Sequence, residues 1–400
     1  MTGCGQPAGR LAVMGLNNKE KLERFFLAVI SGQREGRGSD FLRRLLRYLS
    51  YIYATITSCR NFLYEKRIFR HHTLGCQVIS IGNLTVGGTG KTPVVEVFAR
   101  ALQKEGRRVA ILSRGYKKVE HSLGKKILDK MTGRERRRPP RVVSDGTALL
   151  LDSAMSGDEP YMLASNLPNV AVLVDRDRVK SGRHAIDKMQ CDTLILDDGF
   201  QYRRLKHRLE IVLVDFTNPF DNGYVLPRGL LRESAGNIRR ADFIFITKST
   251  GRDSEKLKEQ LRTLNARAEI SECTHRPKHL QNVYTGERKD LGYLQQTKVA
   301  LVSGIAEPEG FETSVRKMGA TLVYLKRFVD HHRYRQQEII DIINKAKKNG
   351  ATAIITTEKD AVRFPKIERQ DVPVFFLRVE IELISGAEDF YACISRICFR

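Results

Sequence analysis

A glycine-rich loop between an apolar segment and a helix-like segment carries the clearest chemistry in the sequence. The apolar segment is Val78 to Ile81, and the candidate phosphate-binding residues that follow it are Thr85, Val86, Gly87, Gly88, Thr89, Gly90, Lys91 and Thr92. Glycines let backbone N–H groups close around phosphate oxygens, and the next helix points its positive end at the same oxygens. Lys91 can reach the β- and γ-phosphates, and the Thr92 hydroxyl can bind Mg²⁺. The pattern predicts a triphosphate-binding loop, although Thr85 stands where the strict motif has glycine.

Two adjacent carboxylates end a second apolar segment. Asp197 and Asp198 directly follow Leu194 to Leu196. A strand that ends beside a phosphate loop can present an Asp to the metal of the nucleotide, directly or through water. Paired aspartates also occur in ordinary turns, but together with the phosphate loop they predict a Mg²⁺ site. The segment 356–360 departs from the guanine-reading motif N/T-K-x-D, so ATP is the favoured nucleotide.

Three further groups could take part in catalysis, and each also has a structural interpretation. Asp158 stands ahead of a helix-like segment, where a carboxylate is either a helix cap or a functional group. His331, next to Asp330, could be a metal ligand, a base held by a carboxylate, or part of a surface turn. No other His or Cys clusters nearby, so a metal is the weakest of these interpretations. The arginines of segment 226–233 could clamp a phosphate or lie in solvent.

The elements that must position these groups follow an α/β pattern from residue 77 onwards. Short, β-branched apolar runs alternate with helix-like stretches, which indicates strands that are buried on both faces of a mostly parallel sheet. The predicted fold is a P-loop NTPase-type α/β sheet with a second α/β lobe and an N-terminal amphipathic helix. The predicted divisions are a flexible extension (1–38), an amphipathic helix region (39–75), a P-loop core (76–267), a connector (268–297) and a C-terminal α/β lobe (298–400).

The predicted N-terminal helix has apolar residues at helical spacing, and basic residues lie at its start and follow at its end. Its apolar positions include Leu42, Leu45, Leu49, Ile52 and Ile56. Such a helix either lies in the plane of an anionic membrane surface or packs on its own domain, and the sequence leaves both open. No stretch of eighteen apolar residues occurs, so a full membrane span is not expected.

Charge is the unusual feature of the composition. The 69 Lys and Arg residues against 46 Asp and Glu residues give a formal net charge of +23. Such a surface attracts nucleic acid, an anionic membrane or phosphorylated substrates. The strongly basic segment 117–141 is predicted to be a solvated surface loop. Seven scattered cysteines without a CxxC pair or zinc spacing indicate a reduced chain with inert or buried thiols, and no secretory signal precedes the first helix.

As a set, the motifs resemble those of the tetraacyldisaccharide 4'-kinases of lipid A synthesis. The residues that carry the resemblance are Gly82, Asn83, Val86 to Pro93, Ser113 to Tyr116, Gly157 to Pro160, Asp197 to Gln201, Leu226 to Gly229, Leu231 to Glu233, Ser303 to Ala306, Pro308, Phe311, Asp330 to His332 and Thr357 to Asp360. It extends from about residue 42 to the C-terminus, and the family tolerates a residue other than glycine at Thr85. Tyr202 and Leu230 depart from the usual His and Pro, which affects only the expected local loop shape.

The resemblance implies transfer of the γ-phosphate of ATP to the 4'-hydroxyl of an acylated disaccharide 1-phosphate lipid, at the cytoplasmic face of the bacterial inner membrane. It implies that Asp158 is the general base paired with His331, that Lys91 acts on the phosphates, and that Asp197 and Asp198 serve Mg²⁺. Positions matching the lining of the family's active site are Glu159, Gln201, Arg232 and Glu233.

Two other classes of protein compete with this interpretation. A soluble P-loop ATPase or GTPase would hydrolyse nucleotide without a lipid acceptor and would not need the amphipathic helix. A nucleic-acid-binding protein would carry aromatic-studded basic motifs, and the sequence has none. The predicted partners are therefore the lipid substrate and an anionic membrane surface, to which the protein is expected to bind peripherally. A nucleic-acid partner is not expected.

Overall fold

A computed structural model of the protein describes residues 22, 25, 26, 28–115, 138–368 and 371–398. Most of the predicted N-terminal extension lies outside these residues. Of its described part, residues 28–30 are helical, and a long helix already begins at Arg37. The basic segment predicted as a surface loop also lies outside the described residues, except for residues 138–141.

The described residues contain one large sheet of thirteen strands. The strands are β1 Gln77–Asn83, β2 Val109–Ser113, β3 Arg141–Asp145, β4 Ala171–Val174, β5 Thr193–Asp197, β6 Leu209–Asp215, β7 Phe243–Thr247, β8 Glu269–Asn282, β9 Arg288–Lys289, β10 Lys298–Ser303, β11 Thr321–Arg327, β12 Ala353–Thr357 and β13 Val374–Ser385. Their order is β11-β10-β12-β13-β8-β7-β6-β1-β5-β2-β4-β3, with β9 beside β8. Most neighbours are parallel, and the antiparallel pairs are β3 with β4, β8 with β9, and β8 with β13. The predicted mostly parallel α/β fold is confirmed.

Helices cover the two faces of this sheet. They are α1 Arg37–Glu65, α2 Lys91–Lys104, α3 Ser153–Ser156, α4 Asp158–Asn166, α5 Arg178–Met189, α6 Glu255–Leu264, α7 Pro308–Lys317, α8 Gln336–Lys348, α9 Glu358–Ala361 and α10 Ala387–Cys398, with short 3₁₀ helices at Ala235–Arg240 and Leu291–Leu294. The interiors of most of the parallel strands are almost fully buried, as the continuous apolar runs predicted, whereas the edge strand β11 and parts of β8 and β13 are only partly buried. Separate apolar clusters form on the two faces in each half of the sheet.

The segment predicted as a connector contains the longest strand of the sheet. β8 pairs in parallel with β7, where Phe243 opposes Glu269, and antiparallel with β13, where Phe375 opposes Asn282. It therefore joins the two halves into one continuous sheet. The sequence did not predict β8 as a strand, because polar and charged residues such as Arg276 and Lys278 interrupt the apolar pattern along its exposed part. The division into two lobes stays a prediction.

Helix α1 attaches to the protein through small and polar residues. Its buried positions are Leu46, Ser50, Thr57 and Asn61, and the Ser50 hydroxyl donates a hydrogen bond of 2.8 Å to the Val225 carbonyl. Apart from Leu46, which is buried, and Tyr53, which packs against an apolar cluster, most large apolar side chains face outwards. Those exposed are Phe41, Leu45, Tyr48, Leu49, Tyr51, Ile52, Ile56 and Phe62. Among the described helices, none is both long and apolar enough to cross a membrane. The helix therefore packs on its domain and still presents an apolar face.

Candidate active site

The predicted phosphate-binding loop connects β1 to α2. Gly87 and Gly90 both have positive φ angles, of 128° and 78°, which side chains adopt only with strain. The loop is held at its base, where Val86 N–H donates 2.7 Å to the Leu230 carbonyl and Thr247 Oγ1 donates 2.9 Å to the Thr89 carbonyl. The amino end of α2, which begins at Lys91, faces the loop. Loop, strand and helix thus have the arrangement that predicts phosphate binding.

The carboxylate of Asp198 contacts two positively charged side chains. Arg232 Nη1 lies 2.8 Å from both of its oxygens, and Lys91 Nζ lies 3.7 Å from Oδ1. Burial opposes ionisation of Asp198, but the charges of Lys91 and Arg232 outweigh it and lower the pKa of this carboxyl. Lys91 also donates 3.2 Å to Asn83 Oδ1 at the end of β1. The structure therefore brings the predicted lysine, one predicted aspartate and Arg232 together.

Asp197 is the last residue of β5 and lies opposite Ile81 of β1. One carboxylate oxygen accepts a 2.9 Å hydrogen bond from Ser113 Oγ, whereas Oδ1 is buried without a hydrogen-bond partner among the described residues. Burial, followed by the charges of Glu159 and Asp198, raises the pKa of Asp197 to about 6. A cation would compensate this buried, unpartnered oxygen, so the two aspartates fit the predicted Mg²⁺ site.

No group of three or more His, Cys, Asp or Glu side chains within the described ranges could hold a metal ion on its own. A cation here would need the nucleotide phosphates and water as further ligands, which is the usual way in which Mg²⁺ is held.

Asp158 and His331 form a close pair between the two halves of the sheet. Asp158 begins α4, and His331 follows β11, which is the edge strand of the other half of the sheet. Asp158 Oδ2 nevertheless lies 3.0 Å from His331 Nδ1. The other ring nitrogen, Nε2, lies 3.4 Å from Lys359 Nζ. Arg363 Nη2 also lies 3.3 Å from Nδ1, so this nitrogen faces both the Asp158 carboxylate and the Arg363 guanidinium.

Two arginines complete the surroundings of Asp158. Arg363 Nε lies 2.8 Å from Oδ2, and Arg333 Nη2 lies 2.9 Å from Oδ1. Burial raises the pKa of Asp158, but the His331 hydrogen bond and the two arginine charges outweigh it, so that the pKa is lowered. The carboxyl is thus ionised at neutral pH and oriented by three donors.

Gln201 and Glu233 occupy different positions. Gln201 Nε2 donates 3.0 Å to the Asn83 carbonyl, and its Oε1 lies 3.4 Å from Arg232, so this side chain belongs to the phosphate-loop group. Glu233 is fully buried and accepts hydrogen bonds from Arg60 and Asn61 of α1. The structure gives Glu233 the role of an anchor for α1; its predicted place in the lining stays a prediction.

Several contributing residues were not singled out by the sequence. Arg333 and Arg363 were missed, although Arg333 directly follows the Asp-His-His run and Arg363 follows Asp360 by three residues. His275 of β8 was also missed. A Cβ atom added at Gly90 would lie 2.6 Å from its imidazole ring, so this ring packs directly against the phosphate loop. No local pattern marks His275, because β8 itself was not recognised.

The site defines a P-loop protein of the α/β class. Its strand is followed by a glycine loop with a lysine, and an aspartate ends the neighbouring strand. The family model described as tetraacyldisaccharide-1-P 4'-kinase matches residues 42–398. The chain belongs to this family of phosphotransferases, as its motifs predicted.

Individual relatives agree with this assignment. The chain is similar to a tetraacyldisaccharide 4'-kinase from Syntrophus aciditrophicus, with 37% identity over 88% of this chain and 92% of the relative. It is 38% identical to one from Desulfotalea psychrophila over 88% of this chain and 95% of the relative. A crystal structure of LpxK from Aquifex aeolicus, described as an "apo" form in complex with ATP, matches with a TM-score of 0.69 and 29% identity. That match covers 90% of this chain and all of the other.

Proposed function

We propose that the protein transfers the γ-phosphate of ATP to the 4'-hydroxyl of a tetraacyldisaccharide 1-phosphate, in the synthesis of lipid A. Membership of the kinase family and the similarity to an ATP-bound LpxK structure support the class of donor and acceptor. The observation that carries the catalytic proposal is the 3.0 Å contact between Asp158 and His331.

Asp158 is the proposed general base. A sugar hydroxyl is a weak nucleophile, and in phosphoryl transfer its proton leaves late, so an ionised carboxylate in place is sufficient to receive it. The charge of Glu159, the next residue, contributes after burial to the raised pKa of Asp197 at the end of β5. His331 would orient Asp158 through Nδ1–H.

Lys91 is the proposed ligand of the β- and γ-phosphates. In the described structure its ammonium lies between Asn83 and Asp198, and a phosphate in the loop would compete for it. Arg232, held by Asp198 and close to Gln201, would help to neutralise charge on the transferred group. Thr92, Asp197 and Asp198 would hold Mg²⁺, which when bound neutralises the charge of the phosphates.

Helix α1 is the proposed membrane-binding element, at the cytoplasmic face of the inner membrane. Its exposed apolar side chains recur at helical spacing, for example Phe41, Tyr48, Ile52 and Ile56. Arginines lie beside this face along the first half of the helix, which suits anionic lipid headgroups. A peripheral location would bring the active site to an acceptor whose acyl chains remain in the bilayer.

The experiment supplies ATP labelled at the γ-phosphate together with tetraacyldisaccharide 1-phosphate in detergent micelles. The expected product is labelled lipid, and its amount should depend on both Mg²⁺ and acceptor. Release of labelled inorganic phosphate at the same rate with and without acceptor would favour the soluble ATPase alternative and refute the proposal. Lys91→Ala, with its fold checked by circular dichroism, serves as the inactive reference.

A further inference from the structure

A second charged cavity lies at the edge of the sheet opposite the phosphate loop. The loop follows the carboxyl end of β1, whereas this cavity is bordered by the first residues of β6 and β8, Leu209 and Glu269, and by Asp242, which directly precedes β7. Its volume is about 400 Å³, which lies within the range of small-molecule sites. The phosphate loop and this cavity therefore lie at opposite edges of the sheet.

The walls of the cavity are rich in arginine. Five arginines line it, namely Arg208, Arg239, Arg240, Arg267 and Arg396, together with the two carboxylates Asp242 and Glu269. Counted together with Glu65 and Glu233, which pair with Arg239 and Arg240, five positive and four negative charges leave a net charge of +1. Arginines at such density repel one another unless anions lie between them, so the cavity favours an anionic occupant.

Both carboxylates already have partners in the protein. Glu269 lies 2.5 Å from Arg396, and Asp242 accepts a 2.8 Å hydrogen bond from the Glu210 N–H. Burial, as the largest cause, raises the pKa of Asp242, which weakens its charge further. The acidic residues therefore compensate the cavity's arginines only in part.

Two of the arginines have no such compensation. Arg239 pairs with Glu65 at 3.4 Å, and Arg240 pairs with Glu233 at 3.0 Å. In contrast, neither Arg208 nor Arg267 has a carboxylate partner anywhere in the described part of the chain. Arg208 donates only a long hydrogen bond of 3.4 Å to the Arg396 carbonyl, and both side chains are exposed at the cavity.

The floor of the cavity is fixed rather than adaptable. Asn265 is buried and donates through Nδ2 to the carbonyls of Ile238 and Ala241, at 2.9 and 2.8 Å. Its Oδ1 accepts from the Arg267 N–H at 3.1 Å, which holds the backbone of that arginine in place. Cys393 and Ile397 of α10 close the apolar side. Arginines on such a frame can hold a phosphate group with bidentate hydrogen bonds.

We propose that this arginine cavity is a second anion site that binds a phosphate-bearing ligand, through Arg208 and Arg267. The shared chemistry is a phosphate group with two negative charges, present either in a soluble phosphate ester or in a lipid headgroup. The site is independent of the phosphate loop and of the proposed kinase reaction.

The test uses the full chain with its phosphate loop saturated by a non-hydrolysable ATP analogue and Mg²⁺. Pyrophosphate is titrated by calorimetry into the wild type and into the double variant Arg208→Gln/Arg267→Gln. Neither substitution breaks an ion pair of the described fold. The matched control is Arg252→Gln/Arg262→Gln, which removes the same charge from exposed arginines outside the cavity. In parallel, all three proteins are sedimented with phosphatidylcholine vesicles containing phosphatidic acid.

The expected result is pyrophosphate binding that weakens about tenfold or more in the cavity variant and stays unchanged in the control, because bonds from charged donors are lost. Loss confined to binding of phosphatidic acid vesicles would support the site and assign its ligand to a lipid headgroup. If the cavity variant binds both pyrophosphate and vesicles as the control does, or if the wild type binds neither, the proposal is overturned.

Discussion

Arg232 places one guanidinium nitrogen 2.8 Å from both carboxylate oxygens of Asp198. The same carboxylate lies 3.7 Å from the Lys91 ammonium. Because Glu233, the neighbour of Arg232, is held by Arg60 and Asn61, this contact also connects the phosphate-loop group to helix α1. Asp198 thus aligns the cations that are proposed to act on the triphosphate.

Replacing Asp198 by Asn should lower kcat by about 100-fold or more, because the charge that aligns Lys91 and Arg232 is removed. Asp198 has a φ of 56°, a conformation that Asn tolerates, so the backbone should be little affected. Asp253→Asn is the matched control, since that exposed Asp has a φ of 58°. Steady-state kinetics provide the measurement, and equal kcat values for the two variants would contradict the assigned role.

His331→Gln and Asp158→Asn should each reduce kcat by about 100-fold or more while leaving ATP affinity within about threefold, because they act on the acceptor hydroxyl. Nucleotide binding is measured by calorimetry beside the kinetics, and His332→Gln is the neighbouring control for His331. A large loss of ATP affinity with unchanged kcat would remove both residues from the proposed dyad.

The stability of the protein should depend on the charge of Asp158 in acid. Although burial opposes it, the His331 hydrogen bond and the charges of Arg363 and Arg333 lower the pKa of Asp158. The stabilisation is therefore fully present above the ordinary Asp pKa of about 3.9 and is lost as the pH falls through the lower, folded value.

Urea unfolding of the wild type and of Asp158→Asn checks this expectation. At pH 7 the variant should be less stable by about 3 kcal/mol, since Arg363 and Arg333 lose a buried partner. The difference should shrink once the pH falls below about 4. A difference that stays constant from pH 7 down to the acid unfolding of the wild type would argue against the lowered pKa.

Gly90→Ala should weaken ATP binding by about tenfold or more. The added methyl group would meet the His275 ring at 2.6 Å, and the φ of 78° would be strained. The double variant Gly90→Ala/His275→Ala should recover part of the affinity, because only the clash is relieved. Gly286→Ala, with a φ of 74° and no neighbour within 4 Å, isolates the effect of strain. Absence of any recovery would place His275 away from the loop in solution.

Helix α1 should bind anionic membranes through its exposed face. Phe41→Ser/Ile56→Ser removes two side chains that are 69% and 62% exposed, so sedimentation with phosphatidylglycerol vesicles should fall severalfold. The control Leu150→Ser/Tyr391→Ser removes apolar groups elsewhere that are 52% and 61% exposed. Binding by wild type should also weaken as salt rises. Equal sedimentation of both variants would separate α1 from membrane binding.

The parts of the site that are local in sequence could be predicted from it. The phosphate loop and the aspartates at the end of β5 are contiguous patterns between buried strands, and the sheet brings them together at one edge. The contact of Asp158 with His331 spans 173 positions, so residue types alone left several roles open and only the resemblance paired them. Arg363, which is buried, gave no signal, because its partners come from distant segments.

The outward apolar face of α1 shows a second reason for incomplete prediction. Periodicity indicates that a helix has an apolar side, but it does not state whether that side meets protein or solvent. Here Ser50 and Asn61 make the buried hydrogen bonds, and the larger apolar residues remain exposed. Similarly, the resemblance gave Glu233 as an active-site lining position, and nothing in the sequence indicated that it is fully buried in the fold.

The position of the new phosphate on the lipid decides whether the protein is a 4'-kinase of the lipid. The wild-type protein is incubated with ATP, Mg²⁺ and tetraacyldisaccharide 1-phosphate, and the purified lipid is examined by phosphorus–proton correlation NMR. We expect a second phosphomonoester whose phosphorus couples to the proton at carbon 4' of the distal sugar, and its absence with Asp158→Asn. Unmodified lipid from folded, ATP-binding protein, or a phosphate at any other position, would contradict this expectation.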